Sequence, residues 1–280
     1  MSLQLQGIGS DYSVFSWAGP IANTKGLINT DQFFGSEGTI YGCTDPEAVN
    51  YNPAATDDDG NCIYAVDVTL YDIQFTNQVD GFWDSDCYPS SFVDQYVTVS
   101  GIVTLVQPAV PNFFIQDPNN FLWSGAYVYD ASVNPSVGDE IELTVLVEEY
   151  FGVTELTSIS DYEIQSTGNG ISPTTVSATD IGMTCNSSGE SHEGVLVKLD
   201  NVTIVSVDEE FNVWTVSDQS GQALVDDYFF DGFEWPSVNP GDEFPSIVGV
   251  VHYSYGQYKV YPRFLSDIQI DNTLPVADAG

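Results

Sequence analysis

The feature of this sequence that most constrains its fold is an internal repeat with a period of about one hundred residues. The segment YVTVSGIVTLV, which starts at Tyr96, aligns with VLVKLDNVTIV, which starts at Val195, at an offset of 99 residues (195 − 96). Further matches follow in the same order at growing offsets: 127–130 with 228–231, 138–140 with 241–243, 150–152 with 254–256, and 160–161 with 266–267. The chain therefore contains two copies of one unit, and any fold assigned to one copy must suit the other.

Each copy reads as a series of strands separated by turns. β-Branched and aromatic residues dominate 96–106, and 141–147 alternates apolar and polar side chains in its first half. Turn residues such as Asn239-Pro240-Gly241 separate such segments. Five strands in roughly 75–100 residues favour a small Greek-key barrel over a nine-strand sandwich. We therefore predict an all-β fold of two tandem Greek-key five-stranded barrels, preceded by a disulfide-stapled acidic loop.

The strand count and order of each copy resemble the OB-fold, and the pair resembles OB-like modules of secreted bacterial proteins that often accompany extracellular nuclease domains. This resemblance covers 66–270 and rests on short patterns such as Gly-Asp-Glu before a strand. It implies a first OB-like barrel at 65–168 and a second at 169–271. The segment 1–41 is left without an assignment, and 42–64 is a separate acidic loop.

Charge narrows the set of partners. The chain has 4 Lys plus Arg against 41 Asp plus Glu, a net charge of −37. Such a chain repels nucleic acid and anionic lipid unless the local charge reverses. Between Lys25 and Lys198 there is no basic residue, so the first barrel has no side chain that could neutralise a phosphate. We do not expect nucleic acid as a partner, and no apolar run approaches the roughly 18–20 residues of a membrane span.

Four cysteines allow three disulfide pairings. The local sequence favours Cys43–Cys62, a compact loop over 45–61, which would leave Cys87 to pair with Cys185; the alternative is four reduced thiols. Disulfides and a near absence of lysine are typical of an extracellular protein. The first six residues lack the basic and apolar regions of a signal peptide, so we expect the sequence to be a piece of a longer secreted or cell-surface protein.

The acidic loop 42–64, GCTDPEAVNYNPAATDDDGNCIY, is the most distinctive stretch. It resembles the GCTD…DDGxC module of surface and secreted proteins from bacteria with type IX secretion, which implies a Cys43–Cys62 bridge and a Ca²⁺ loop similar to thrombospondin type 3 repeats. The oxygen ligands that calcium prefers would come from Asp45, Asn50, Asp57, Asp59 and Asn61. The register departs from an EF-hand because Ala55 stands where an acid is required. The alternative is a solvated turn held by the disulfide.

At the other end, LPVADAG (274–280) resembles the start of a PKD-like module. This resemblance implies that 272–280 is a linker and that neighbouring modules of the same polypeptide are partners.

Aromatic residues of the second copy are candidates for ligand binding, because sugars stack on aromatic faces without needing positive charge. The candidate residues are Trp214, Tyr253, Tyr255, Tyr258, Lys259 and Arg263. The alternative is that most of these rings pack in the core. The two histidines, His192 and His252, lie in no catalytic motif, so we predict that the chain is not an enzyme.

These observations predict a non-catalytic structural or binding module of a large extracellular or cell-surface bacterial protein, with a role in adhesion. Its ligand would be a polysaccharide or a surface protein. One alternative is an accessory region that presents substrate to an extracellular nuclease, and a second is a glycan-binding module.

Overall fold

The computed structural model describes residues 2–9, 11–22, 24–25, 28–34, 39–77, 87–231 and 235–269. The chain divides into two compact units, Met1–Ala65 and Val66–Gly280. Of the described residues, 45% lie in strands and 8% in helices, so the all-β prediction is confirmed. The predicted linker at 272–280, and with it the PKD-like phrase, lies outside the described residues.

The first unit consists of short strand pairs with little apolar burial. Strand β1 (Ser2–Ile8) pairs antiparallel with β2 (Ser16–Ile21) and parallel with β3 (Gln32–Phe33). Strand β4 (Tyr41–Gly42) pairs parallel with β5 (Asp57–Asp58). Among the described residues of this unit, only a cysteine and an alanine are buried apolar side chains. The disulfide is therefore a main source of its stability, since bridging a loop of ~15–20 residues contributes about 3 kcal/mol.

The first copy of the repeat opens the second unit and folds into a closed barrel. Strands β7, β8 and β9 form an antiparallel meander, and β9 pairs parallel with β11. Strand β10 pairs with both β11 and β7, which closes the ring. The elements are β6 (Val66–Asp67), α1 (Leu70–Gln74), β7 (Tyr96–Val106), β8 (Phe113–Gln116), β9 (Gly125–Val128), β10 (Glu140–Tyr150) and β11 (Val153–Ser166).

The second copy pairs its strands in the same order. Strands β13 to β15 form a meander, β15 pairs parallel with β17, and β16 pairs with β17 and β13. In both copies a short strand lies parallel to the first barrel strand and leads into a short helix with a capping box. The elements are β12 (Thr174–Val176), α2 (Ala178–Ile181), α3 (Ser187–Glu190), β13 (Leu196–Asp208), β14 (Val213–Ser217), β15 (Gln222–Val225), β16 (Glu243–Ser254), β17 (Gln257–Tyr261) and β18 (Ile268–Gln269).

Equivalent turns match where the sequence aligned them. The N–H of Gly138 donates to the carbonyl of Val103 at 2.9 Å, and the N–H of Gly241 donates to that of Ile204 at 2.8 Å. Phe151-Gly152 and Tyr255-Gly256 both have positive φ at both positions, the geometry of a tight I′ hairpin turn.

Two stretches of the sequence alignment are wrong in register. In the first hairpin of each copy the strand pairing shifts register directly after Val103 and directly after Ile204, so these two residues are equivalent. The offset between the copies is therefore 101 residues in this strand rather than 99. Alternating β-branched sequence matches itself at more than one register, which explains the slip. Tyr228 follows β15 in a turn, whereas Tyr127 lies within β9, because the aromatic-aromatic-Asp pattern of 228–231 belongs to the turn.

The two copies share a core. One apolar cluster fills the first barrel. The other fills the second barrel and also includes Leu105, Phe114, Tyr127 and Val153 from the first copy. The second copy therefore packs on the outer surface of β7, β8, β9 and β11.

Candidate functional site

The residues predicted to bind a ligand in the second copy do not form one exposed surface. Trp214 and Tyr258 are enclosed in the core, and Tyr253 is 7% exposed. Tyr255 is 97% exposed at the tip of the β16–β17 hairpin. The predicted platform is therefore wrong for the first three rings, because alternate residues of a closed barrel point into its interior.

The two cations assigned to that platform are held in ion pairs. The Lys259 Nζ donates to Asp226 Oδ2 at 2.7 Å, and both residues are buried. The Arg263 Nε and Nη2 donate to the two carboxylate oxygens of Asp267 at 2.8 and 3.0 Å. The Arg263 Nη1 also donates to the carbonyl of Thr104 in the first copy at 3.2 Å. Neither cation can reach a ligand without breaking its pair.

The acidic loop contains the predicted disulfide, with the Cα atoms of Cys43 and Cys62 4.9 Å apart. Its oxygen atoms are engaged locally. Asp45 accepts from a tyrosine hydroxyl at 2.8 Å, and Asp59 Oδ1 accepts from a backbone N–H at 3.0 Å. The Asn50 carboxamide donates to one backbone carbonyl and accepts from one backbone N–H, both at 2.8 Å.

These contacts do not form a cation cage. Within the described ranges, which include all of 39–77, no three His, Cys, Asp or Glu side chains converge in a way that could hold a metal ion. Asp57 and Asn61, the other two predicted ligands, lie on the exposed strand and turn of the same loop. Calcium also takes amide and backbone carbonyl oxygens, so this arrangement does not test the site, and calcium binding stays a prediction.

An aromatic cluster joins the two copies. Phe114 and Tyr127 of the first copy lie against Phe229 and His252 of the second, with ring centroids 5.3 Å apart for Phe114–Phe229 and 5.1 Å for Tyr127–His252. All four are buried. Burial, together with the charge of Lys259, lowers the pKa of His252 to about 3. This histidine is therefore a neutral packing residue.

A short segment before β13, residues 187–194, is wedged between the copies. The carbonyl of Ser191 accepts from the N–H of Trp123 at 2.7 Å. Gly194 packs against Gly125 so closely that a Cβ on Gly125 would lie 2.1 Å from the Gly194 carbonyl carbon. The disulfide Cys87–Cys185, which the sequence predicted, links the copies beside this segment, with Cα atoms 5.8 Å apart.

The wedged segment brings carboxyl groups into the junction. Glu190 and Glu193 are each 1% exposed. The hydroxyl of Tyr258 donates to Glu190 Oε2 at 2.5 Å and lies 2.9 Å from the Cys87 sulfur. Within the described part of the chain, Glu190 Oε1 and both carboxyl oxygens of Glu193 have no hydrogen-bond partner. None of the ion pairs formed there includes either residue.

Burial is the main reason that the pKa of both Glu190 and Glu193 lies well above the usual glutamate range. The negative charge of Glu149 raises both further, and Glu190 also raises the pKa of Glu193. The nearby backbone N–H of Thr154 favours the charged form of Glu193 and so lowers its pKa, although it does not meet the geometry of a hydrogen bond. Burial and the charge of a neighbouring glutamate raise the pKa of Glu155 to about 7. Glu190 and Glu193 are therefore uncharged at neutral pH, beside the charged Glu149 and the partly ionised Glu155.

Sequence reasoning missed this cluster. The available signal is GESHEG at 189–194, two acids between glycines directly before an apolar strand. His192 in this segment is a structural residue, since its Nδ1 lies 2.8 Å from the carbonyl of Ser188 and burial lowers its pKa.

Two open grooves lie at equivalent positions beside the capping boxes of α2 and α1, with volumes of about 540 and 230 Å³. Their acids serve the neighbouring backbone. In the larger groove, Asp218 accepts from the N–H of Ala178 at 2.8 Å, and Asp180 accepts from the N–H of Ser177 at 2.9 Å. The grooves are therefore formed by helix caps.

Among the described residues, no helix has both the length and the apolar character needed to cross a membrane.

No protein-family model and no curated protein matches this sequence. A solved structure with some likeness is described as "Structure of murine DNA binding protein bound with ds DNA". It is 10% identical, and the match covers 60% of this chain and 93% of that one at a TM-score of 0.30. A likeness this weak carries no argument about fold or ligand.

Proposed function

We propose that residues 66–269 form a non-catalytic structural module of a large extracellular or cell-surface protein. In this proposal the two barrels, which we infer to be OB-like, act as one rigid spacer between neighbouring modules of the same polypeptide. The observation that carries the proposal is the junction between the copies, where the Cys87–Cys185 disulfide lies beside a buried aromatic cluster. Domains joined by a large apolar interface hold their orientation, whereas domains joined by a small polar one reorient.

The covered face of the first copy supports a structural role over nucleic-acid binding. OB-folds bind oligonucleotides on the face of their second and third strands, which are β8 and β9 here. Phe114 and Tyr127 on that face are packed against the second copy. Lys198, one of four basic residues in the chain, is paired with Asp200 at 2.7 Å. The first copy thus lacks an open stacking face among its described residues, and Lys198, Lys259 and Arg263 are all held in ion pairs, so an accessory role in presenting nucleic acid is less well supported.

The two disulfides support an extracellular location, because such bonds persist in oxidising compartments. The link to type IX secretion and adhesion rests on the sequence resemblance of the acidic loop.

Rigidity is tested by distance measurements between the copies. Unnatural amino acids carrying spin labels would replace Tyr162 in the first copy and Phe211 in the second, which are 51% and 64% exposed. The control pair, Tyr162 and Val110, lies within the first copy. We expect the inter-copy distance distribution to be as narrow as that of the control. A broad or multiple distribution would contradict a rigid spacer, and hydrolysis of any oligonucleotide or polysaccharide in an activity panel would contradict a non-catalytic one.

Glycan binding is a second candidate, favoured by an aromatic surface on the first copy. Tyr71 and Phe75 of α1 are 41% and 37% exposed, and their rings stack with centroids 5.1 Å apart. Trp123 meets Phe75 edge-on at 5.5 Å and has a left-handed φ of 56°. Bulky residues at positive φ are uncommon and cluster at functional sites. The charge of −37 favours a neutral sugar chain over an anionic one.

An array of neutral polysaccharides tests this candidate. Phe75→Ala is expected to weaken binding, whereas the control Phe211→Ala, which truncates an exposed ring in the second copy, is expected to leave it unchanged. Equal binding by both variants would reject this surface, and the test is independent of the rigidity measurement.

A further inference from the structure

The carboxyl groups at the junction suggest a conformational device. We propose that Glu190 and Glu193 form a proton-dependent latch between the two copies, closed while both carboxyls carry a proton and opened when they lose it at rising pH. The disulfide Cys87–Cys185 keeps the copies tethered in the open state.

The placement of Glu193 makes it the centre of the latch. It belongs to the second copy, and its carboxyl faces the strands of the first, where it interacts with Glu149 and Glu155 and approaches the backbone of Thr154. It is 1% exposed, and neither of its oxygens has a hydrogen-bond partner within the described chain. An ionised carboxylate in this position would be shielded from bulk solvent and would have no counterion among the described residues.

Glu190 couples the latch to the core of the second copy. The hydroxyl of Tyr258 donates to its Oε2, and that hydroxyl also contacts the sulfur of Cys87. Its Oε1 has no partner in the described chain. Ionising Glu190 beside Glu193 and Glu149 would place like charges together in a buried site, which disfavours the charged form of each.

Among the described residues, the titratable groups around the latch come from several elements. Apart from His192, whose pKa burial lowers, they are acids or phenols. Burial raises the pKa of Tyr253 and Tyr258, so these phenols remain neutral through the relevant range. His192 faces Asp180 and the carbonyl of Ser188. From the first copy these groups are Glu149 of β10 and Glu155 of β11, with Glu148 of β10 behind Glu155. From the second copy they are Tyr253 of β16, Tyr258 of β17, His192 of the wedged segment and Asp180 of α2.

The direction of the pH effect follows from proton linkage. The closed state holds protons on Glu190 and Glu193 above the ordinary glutamate pKa, and the open state releases them. Closure is therefore complete at acid pH and weakens as pH rises. Release of two protons raises the opening constant by up to about 100-fold for each pH unit between the open-state and closed-state pKa values.

Amide hydrogen exchange tests the latch on the whole chain. Two N–H groups report opening because they donate across the junction: Leu196 to Gln116 Oε1 at 2.9 Å, and Trp123 to the carbonyl of Ser191 at 2.7 Å. Exchange would be followed from about pH 6 to about pH 9 and corrected for intrinsic base catalysis, a range above the ordinary glutamate pKa. We expect the corrected opening constant of the wild type to rise at least tenfold over this range.

Matched variants separate the latch from general charge effects. The double variant Glu190→Gln with Glu193→Gln keeps the shape of both side chains but cannot ionise at either position. Its opening constant should not change with pH above about pH 8, where Glu155 is already ionised, and should change less than that of the wild type below it. The control, Glu209→Gln with Glu210→Gln, removes the same number of acids from an exposed turn of the second copy and should behave as wild type. Equal pH dependence in both double variants, or none in the wild type, would overturn the proposal.

A measurement on the wild type alone covers the case in which the double variant does not fold. Protonated carboxylic acids give a carbonyl infrared band distinct from that of carboxylates. At about pH 8, where exposed carboxyls are ionised, the folded protein should retain this band and lose it on alkaline opening. Its absence would show that both glutamates are charged in the closed state and would overturn the latch. Neither result bears on the distance test of the spacer, which is made at one pH.

Discussion

The buried pair of Lys259 and Asp226 offers a direct test of how the second copy is stabilised. The Nζ and Oδ2 atoms are 2.7 Å apart, and each side chain is 9% exposed. Asp226 Oδ1 also accepts the N–H of Tyr228 at 2.9 Å. The substitution Lys259→Met keeps an unbranched chain of similar length and removes the charge. It leaves the Asp226 carboxylate buried with one backbone donor and no counterion.

The expected loss is large because the aspartate cannot return to water without opening the core. Removing one partner of a buried ion pair costs about 3–5 kcal/mol. For a domain of this size each kcal/mol lowers Tm by roughly 2–4 °C, so the midpoint should fall by roughly 6–20 °C. Replacing both partners, with Lys259→Met and Asp226→Leu, should restore most of the loss, since an apolar pair of similar volume is often neutral or stabilising by about 1–4 kcal/mol.

Calorimetry and denaturant unfolding would measure both changes in the oxidised chain. The control is Lys198→Met, which removes the cation from a pair with Asp200 at the same 2.7 Å separation, with the side chains 33% and 37% exposed. An exposed pair contributes about 0–1 kcal/mol. If Lys259→Met is no more harmful than Lys198→Met, or if the double replacement is as unstable as the single one, burial of the charge is not what gives the pair its importance.

Three further changes have expected outcomes. Gly194→Ala would place its Cβ 2.5 Å from the backbone of the first copy and should lower the free energy of unfolding by roughly 2–5 kcal/mol. The control Gly256→Ala, at a similar positive φ with nothing within 4 Å, should lower it by only about 1–2 kcal/mol, and equal losses in calorimetry would reject close packing of the copies. Replacing Cys43 and Cys62 with serine should destabilise the first unit by about 3 kcal/mol and expose 39–65 to limited proteolysis; an unchanged cleavage rate would contradict this. NaCl should raise Tm by screening the net charge of −37. CaCl₂ at matched ionic strength should raise Tm further only if the acidic loop binds calcium, so the same Tm in both salts would count against calcium binding.

The barrel could be predicted because its information is local. Gly138 and Gly241 have positive φ in turns directly before a strand, and glycine is the residue that such turns favour, so the strand boundary is visible in the local sequence. The hairpin tips at Gly152 and Gly256 do the same. The register inside strands is less secure, since the sequence alignment slipped by two residues where apolar alternation alone had to fix it.

The candidate site could not be predicted in the same way, because burial of a strand residue depends on partners distant in the sequence. Tyr258 and Trp214 have the composition of a stacking surface, and only closure of the barrel reveals that they point inward. The ion pair of Lys259 cannot be read from its neighbours, because its counterion, Asp226, lies 33 residues earlier in the sequence. Glu193 resembles any surface glutamate until the first copy is placed against it.

A comparison of the two copies nevertheless contains information about the junction. The pairing of the first hairpin makes Leu105 equivalent to Ser206 and Phe114 equivalent to Thr215, because each pair lies directly opposite its partner after the same irregularity. In the first copy both positions are apolar and at most 1% exposed, since the second copy covers them. In the second copy both are polar and at least partly exposed. Equivalent outward-facing positions have the same backbone surroundings within each barrel. A difference in side-chain polarity between the two copies must therefore come from what covers the barrel on the outside. The copy with the apolar set is the one that is covered, and this rule locates the interface from the repeat alone once the strands are aligned in the correct register.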